Sequence, residues 1–61
     1  MPYVTVKMIE GRTAEQKRAL VEEVTAAVAK TVDAPKENIT VFIEEMAKEN
    51  YGVAGVLFSD K

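Results

Sequence analysis

Pro2 stands directly behind Met1 and is the residue of this chain with the most unusual chemical possibility. Methionine is generally removed ahead of a small second residue, which would leave Pro2 with a free secondary amine. That amine is a base and nucleophile that no internal residue can imitate. An α-amino group titrates near ~8, and a proline amine is usually more basic, so catalysis near neutral pH needs a nearby cation or a dry pocket to lower it. While Met1 stays attached, the same nitrogen is a tertiary amide with neither property. Arg12 is the second residue of interest: it precedes an expected helix start, where its charge and the helix N-terminus both favour an anion. Pro2 and Arg12 lie at opposite ends of one expected strand, roughly 25 to 30 Å apart at ~3.3 Å per residue. A site that uses both takes them from different copies of the chain.

The elements that position these residues are few. From Tyr3 to Ile9 the chain alternates Val4, Val6, Met8 against Tyr3, Thr5, Lys7, the period of a strand with one buried face. Gly11 breaks it, and Thr13 with Gln16 reads as a capping box opening a helix from Ala14 to Val32. Leu20, Val24, Val28 and Val32, flanked by Val21, Ala27 and Thr31, form its expected apolar face, with Glu15, Arg18, Glu22 and Thr25 opposite. Asp33, Ala34 and Pro35 end it, because Pro35 cannot continue a helix and restrains Ala34. Pro35 to Asn38 reads as one short turn, and Ile39 to Glu44 as a second alternating strand. Strand, helix and strand imply a right-handed β-α-β unit with parallel strands. The tail, with Gly52 and Gly55 among Tyr51, Val53, Val56, Leu57 and Phe58, reads as a short hairpin or arm with exposed apolar residues, an intersubunit contact.

Sixty-one residues suffice for one small domain spanning 1–61, and a chain of this size buries only about 60% of its unfolded surface. It has no cysteine and no histidine, which excludes a disulfide framework, a zinc finger and a Cys or His nucleophile. Association with other copies is the remaining staple, and 48% apolar residues are more than a monomer this small hides. Two strands and one helix have open edges that invite sheet extension between subunits. A net charge of −2 without a basic run argues against nucleic-acid binding. No apolar stretch approaches ~20 residues and no signal segment opens the chain, so the expectation is a cytoplasmic protein without a membrane partner.

Taken together, Pro2, the segment Glu10-Gly11-Arg12, the run Asp33-Ala34-Pro35, and Glu45-Met46-Ala47-Lys48 followed by Tyr51-Gly52 make a pattern that resembles the 4-oxalocrotonate tautomerase family over nearly the full length. The resemblance implies an α/β (α+β) subunit, a single β-α-β unit with a C-terminal hairpin or arm. It further implies assembly into a homohexamer, a trimer of dimers, with sites between chains around the amino-terminal proline. The activity implied is cofactor-free, metal-free enol–keto isomerisation of 2-hydroxydienoates such as 2-hydroxymuconate, in the catabolism of aromatic compounds. Pro2 would then move a proton from the enol hydroxyl to a carbon further along the conjugated system. Arg12 of another subunit would bind the distal carboxylate, and its charge would help keep the proline amine neutral. Tyr51 occupies the usual phenylalanine position and would supply an apolar wall; the competing reading makes it an interface anchor.

Thr40 departs from the pattern, standing where the family carries a second arginine that grips the 1-carboxylate and 2-oxygen. Threonine cannot replace that charge, so action on 2-hydroxymuconate should be weaker unless Lys7, Lys36 or Lys48 substitutes. The departure keeps two alternatives open: the same proline acting on another substrate, such as an arylpyruvate enol or an unsaturated acid that is hydrated or dehalogenated, and a catalytically silent structural oligomer. Other constellations carry less. Glu44 and Glu45 point to opposite faces of a strand, Met8 and Met46 read as packing residues, and Gly11 is a turn residue. Six copies would carry about −12, so the anion site must be a local cationic spot on an acidic body.

Overall fold

The computed structural model describes residues 1–61. Its order is β1 (Tyr3–Ile9), α1 (Ala14–Val32), a 3-10 turn (Lys36–Asn38), β2 (Thr40–Met46), a second 3-10 turn (Lys48–Asn50), the short strands β3 (Gly52–Val53) and β4 (Val56–Leu57), and a last 3-10 turn (Phe58–Asp60). β1 and α1 have the bounds that alternation and capping predict. The capping box is closed at both ends: the Gln16 amide N–H donates to Thr13 Oγ1 at 3.1 Å, and the Thr13 N–H to Gln16 Oε1 at 2.9 Å. Such a cap stabilises the helix by about 1 kcal/mol. At the other end Asp33 turns into the left-handed region, φ 57°, before Pro35 prevents continuation.

β1 and β2 pair in parallel, from Tyr3 opposite Thr40 to Ile9 opposite Met46. β2 begins one residue later than expected and runs two residues further. The adjacent Glu44 and Glu45 interrupt the side-chain alternation, but the backbone ladder continues beside β1, and the Glu10 N–H still reaches the Met46 carbonyl at 2.9 Å. The two carboxylates differ in partner: Glu45 meets Lys17 on α1 at 2.7 Å, while Glu44 makes no ion pair. With both partners about one-third exposed, this pair contributes at most about 1 kcal/mol.

α1 covers one face of the sheet with Lys17, Leu20, Val21, Val24, Thr25, Val28 and Ala29, all half-buried. Half-burying a valine or leucine contributes about 1 kcal/mol. Thr25 thus belongs to the packed face, and Ala27, Thr31 and Val32 do not; Val32 is 58% exposed. A row of residues four apart drifts about 40° around the helix at each step, so the stripe from Leu20 leaves the sheet before Val32, whereas alternating steps of three and four stay on it.

The sheet's other face carries Tyr3, Thr5, Lys7, Ile9, Thr40, Phe42, Glu44 and Met46 and has no helix over it. Tyr3 and Phe42 stack there at 6.3 Å between centroids. None of the 61 residues is buried, and the accessible surface is 4717 Å², against about 3,900 Å² for a compact monomer of this mass. The radius of gyration is 14.5 Å, against about 10.5 Å for a compact chain of this length. β3 and β4 form the expected hairpin, a β-arm extending the apolar surface through Val53, Val56, Leu57 and Phe58. No helix is long and apolar enough to cross a membrane.

Candidate active site

Pro2 is half-buried just ahead of β1, and its carbonyl accepts the Thr40 N–H at 3.1 Å. That bond opens the parallel ladder and fixes the backbone of Pro2 beside Thr40. Thr40 therefore adjoins the proline within one chain, and it brings a neutral hydroxyl.

Arg12 lies beyond the other end of β1, exposed between Gly11, φ 126°, and the helix cap Thr13. It lines a surface cavity of about 220 Å³ with Met8, Gln16, Lys17 and Leu20. Two cations face this cavity, but Lys17 is engaged by Glu45 while Arg12 has no ion pair. The capping box uses the backbone N–H of Thr13 and Gln16. Attraction for an anion at this helix start therefore rests chiefly on the Arg12 charge.

Tyr51 lines a second cavity, of about 330 Å³, with Lys7, Met8, Ile9 and Met46. Its ring tilts against Phe58 at 5.9 Å, and the Phe58 N–H donates to the Tyr51 carbonyl at 2.8 Å. The arm thus holds the ring against the end of the sheet. Met8 lines both cavities, so they adjoin. Arg12 and Tyr51 consequently share one end of the subunit, and Pro2 with Thr40 occupies the other, as the length of β1 requires. No group of three or more carboxylates is arranged to hold a metal ion.

Of the lining residues, Ile9 is passed over by local sequence reading, while Lys7 enters it only as a possible substitute cation and Met46 as a packing residue. Ile9 and Met46 are register partners 37 positions apart in sequence, and only strand pairing unites them. The one sequence signal for Met46 is its place in the segment Glu45 to Lys48.

The tautomerase enzyme family model matches residues 2–61. A Bacillus subtilis protein named 2-hydroxymuconate tautomerase is 67% identical over 60 residues, which are 98% of this chain and 97% of that one. The crystal structure of YwhB, a homologue of 4-oxalocrotonate tautomerase, superposes with a TM-score of 0.96 at 65% identity, covering 98% of each chain. A heterohexamer 4-oxalocrotonate tautomerase from Chloroflexus aurantiacus superposes at 0.93 with 30% identity, over 98% of this chain and 97% of that one. With a family model matched over residues 2–61, a β-α-β subunit and near-complete coverage by these relatives, the chain belongs to the tautomerase family.

Proposed function

We propose that this protein is a cofactor-independent tautomerase of 2-hydroxydienoates such as 2-hydroxymuconate, with Pro2 as general base once Met1 is removed. One observation carries the reading: Pro2 and the Arg12–Tyr51 cavities lie at opposite ends of β1, and β1 has one unpaired edge. Antiparallel pairing of that edge with β1 of a second copy brings the start of one strand to the end of the other. Each Pro2 then faces the partner copy's cavities, and each dimer holds two sites. The bare face of the sheet and the apolar arm supply the surface for joining three such dimers into a homohexamer, an assembly of the same order as the Chloroflexus aurantiacus relative.

In the reaction, the Pro2 nitrogen takes the enol hydroxyl proton and the oxygen's electrons form the carbonyl. The conjugated double bonds shift toward the distal carboxylate, and protonated Pro2 returns the proton to a carbon along that path. Arg12 binds the distal carboxylate and stabilises the charge that moves toward it. Tyr51, Ile9 and Met46 exclude water from the conjugated chain, which strengthens these charge interactions.

The test is Pro2→Ala. Ketonisation of 2-hydroxymuconate is expected to fall by about 100-fold or more, the span of a lost general base, with assembly mass unchanged. Full activity in an assembled variant would sink the reading. Intact mass of the natural protein supplies the companion check, since a retained Met1 blocks the amine. Thr40 beside Pro2 favours a second reading, the same proline acting on a mono-acid enol, and a wild-type preference for mono-acids over di-acids decides for it.

A further inference from the structure

Arg12 shares its cavity with a second cation, and the lining of that cavity is one-sided. Met8 lies on the α1 side of the sheet, where it forms an apolar floor with Leu20, away from the bare face. The polar rim consists of Arg12, Gln16 and Lys17. The capping box takes the Gln16 amide oxygen, which accepts the Thr13 N–H at 2.9 Å and leaves Nε2 as the free end. The uncommitted polar side-chain groups of the rim are therefore all donors: a guanidinium, an ammonium and an amide NH2. Such a rim accepts an anion and rejects a cation. Lys17 is held at 2.7 Å by Glu45, which does not itself line the cavity. An ammonium has three N–H donors, so one bond to Glu45 leaves two. Glu45 cancels the Lys17 charge at a distance, and Arg12 supplies the attraction; at contact both cations donate. The two cations and the one carboxylate leave a net charge of one, which a single ligand carboxylate neutralises.

We infer that Lys17 is a second substrate-binding cation of this protein, closing with Arg12 on one carboxylate while Glu45 restrains it and sets the net charge. The inference rests on the tautomerase reading above for the identity of that group, the distal carboxylate of the dienoate, whose neighbouring carbons meet the apolar floor. Lys17 binds and moves no proton: its ammonium and the carboxylate keep their charges throughout. The ion pair spans α1 and β2, so it already restricts the flexible lysine stem and less freedom is lost when the ligand arrives.

The test uses muconate, a six-carbon di-acid without an enol hydroxyl, titrated calorimetrically into the assembled wild-type, Lys17→Met, Lys17→Arg and Glu45→Gln proteins. Lys17→Met and Glu45→Gln break the same ion pair, so a purely structural role for that pair weakens binding in both alike. The inference expects the two to part. Lys17→Met is expected to weaken muconate about fivefold, the worth of a partly exposed charged contact, and Lys17→Arg to stay within about twofold of wild type. Glu45→Gln leaves the ammonium unneutralised and is expected to bind muconate at least as tightly as wild type. With 2-hydroxymuconate, Lys17→Met is expected to raise KM about fivefold while kcat stays within about twofold. Unchanged muconate binding in Lys17→Met overturns the inference, as do a Glu45→Gln protein as weak as Lys17→Met and a wild-type protein that does not bind muconate. Muconate has no enol proton to lose, so its binding does not depend on the base. An active Pro2→Ala protein would therefore remove the catalytic reading alone, and unchanged muconate binding in Lys17→Met beside an inactive Pro2→Ala protein would remove Lys17 alone.

Discussion

At the scale of single residues, the proposed site divides into an amine and a cation, Pro2 and Arg12, that one chain keeps at opposite ends of β1. Pro2 contributes a nitrogen whose usefulness depends on a covalent event, the loss of Met1, rather than on packing. Its backbone is already placed, because its carbonyl is tied to the Thr40 N–H. Arg12 is the free cation of its cavity, since Glu45 engages Lys17. Arg12→Ala is expected to raise KM for a di-acid dienol roughly 10- to 100-fold, the worth of a charge-assisted contact, and to leave a mono-acid enol lacking the distal carboxylate nearly unaffected. Equal losses on both substrates in steady-state kinetics would move Arg12 away from the distal carboxylate. The Tyr51 hydroxyl makes no hydrogen bond within the chain.

At the scale of elements, each connection is built to deliver a residue to an end of the sheet. The capping box starts α1 immediately after Arg12, so the arginine stays at the corner between β1 and the helix. The Lys17–Glu45 pair and the valine-rich face of α1 hold that corner against β2. The arm does the same for Tyr51, through Phe58 and a two-residue turn at Ala54, φ 56°, and Gly55, φ 83°. Both central residues have positive φ, the requirement of a type I′ turn, and alanine there carries a steric cost of about 1 kcal/mol. Ala54→Asn supplies the residue this turn position favours. It is expected to raise Tm by a few degrees at fixed protein concentration, measured by thermal unfolding, without changing kcat. A lower Tm would show that Ala54 makes a contact in the assembly that asparagine disrupts.

At the scale of the whole molecule, a chain with no buried residue has no closed core of its own. The stacked Tyr3 and Phe42, 65% and 49% exposed, lie on a sheet face that no element of the same chain covers. On the proposed pairing, dissociation is expected to cost both stability and the site, because one chain holds Pro2 and Arg12 at opposite ends of β1. Co-assembling equal amounts of Pro2→Ala and Arg12→Ala proteins is expected to restore roughly a quarter of wild-type activity, the chance that a random site draws its intact proline and intact arginine from the two different variants. Mixed protein as inactive as either parent would place both residues of a site in one chain.

Local physics is what the amino-acid sequence determines by itself. The bounds of β1 and α1 follow from period-two alternation, the Thr13–Gln16 box and Pro35, each set by neighbours within a few residues. The separation of Pro2 from Arg12 follows from the length of one strand. The continuation of β2 past Glu44 was not legible, because the ladder to Ile9 sustains it while side-chain alternation does not. Nor was the outward turn of Val32, which depends on where the sheet lies beneath the helix. Tertiary structure alone decided that Lys7, Ile9, Met46 and Tyr51 line one cavity and that Thr40 stands beside Pro2. Both outcomes come from the parallel register of β1 on β2, a pairing between segments 37 positions apart, and no local pattern in either segment encodes its partner.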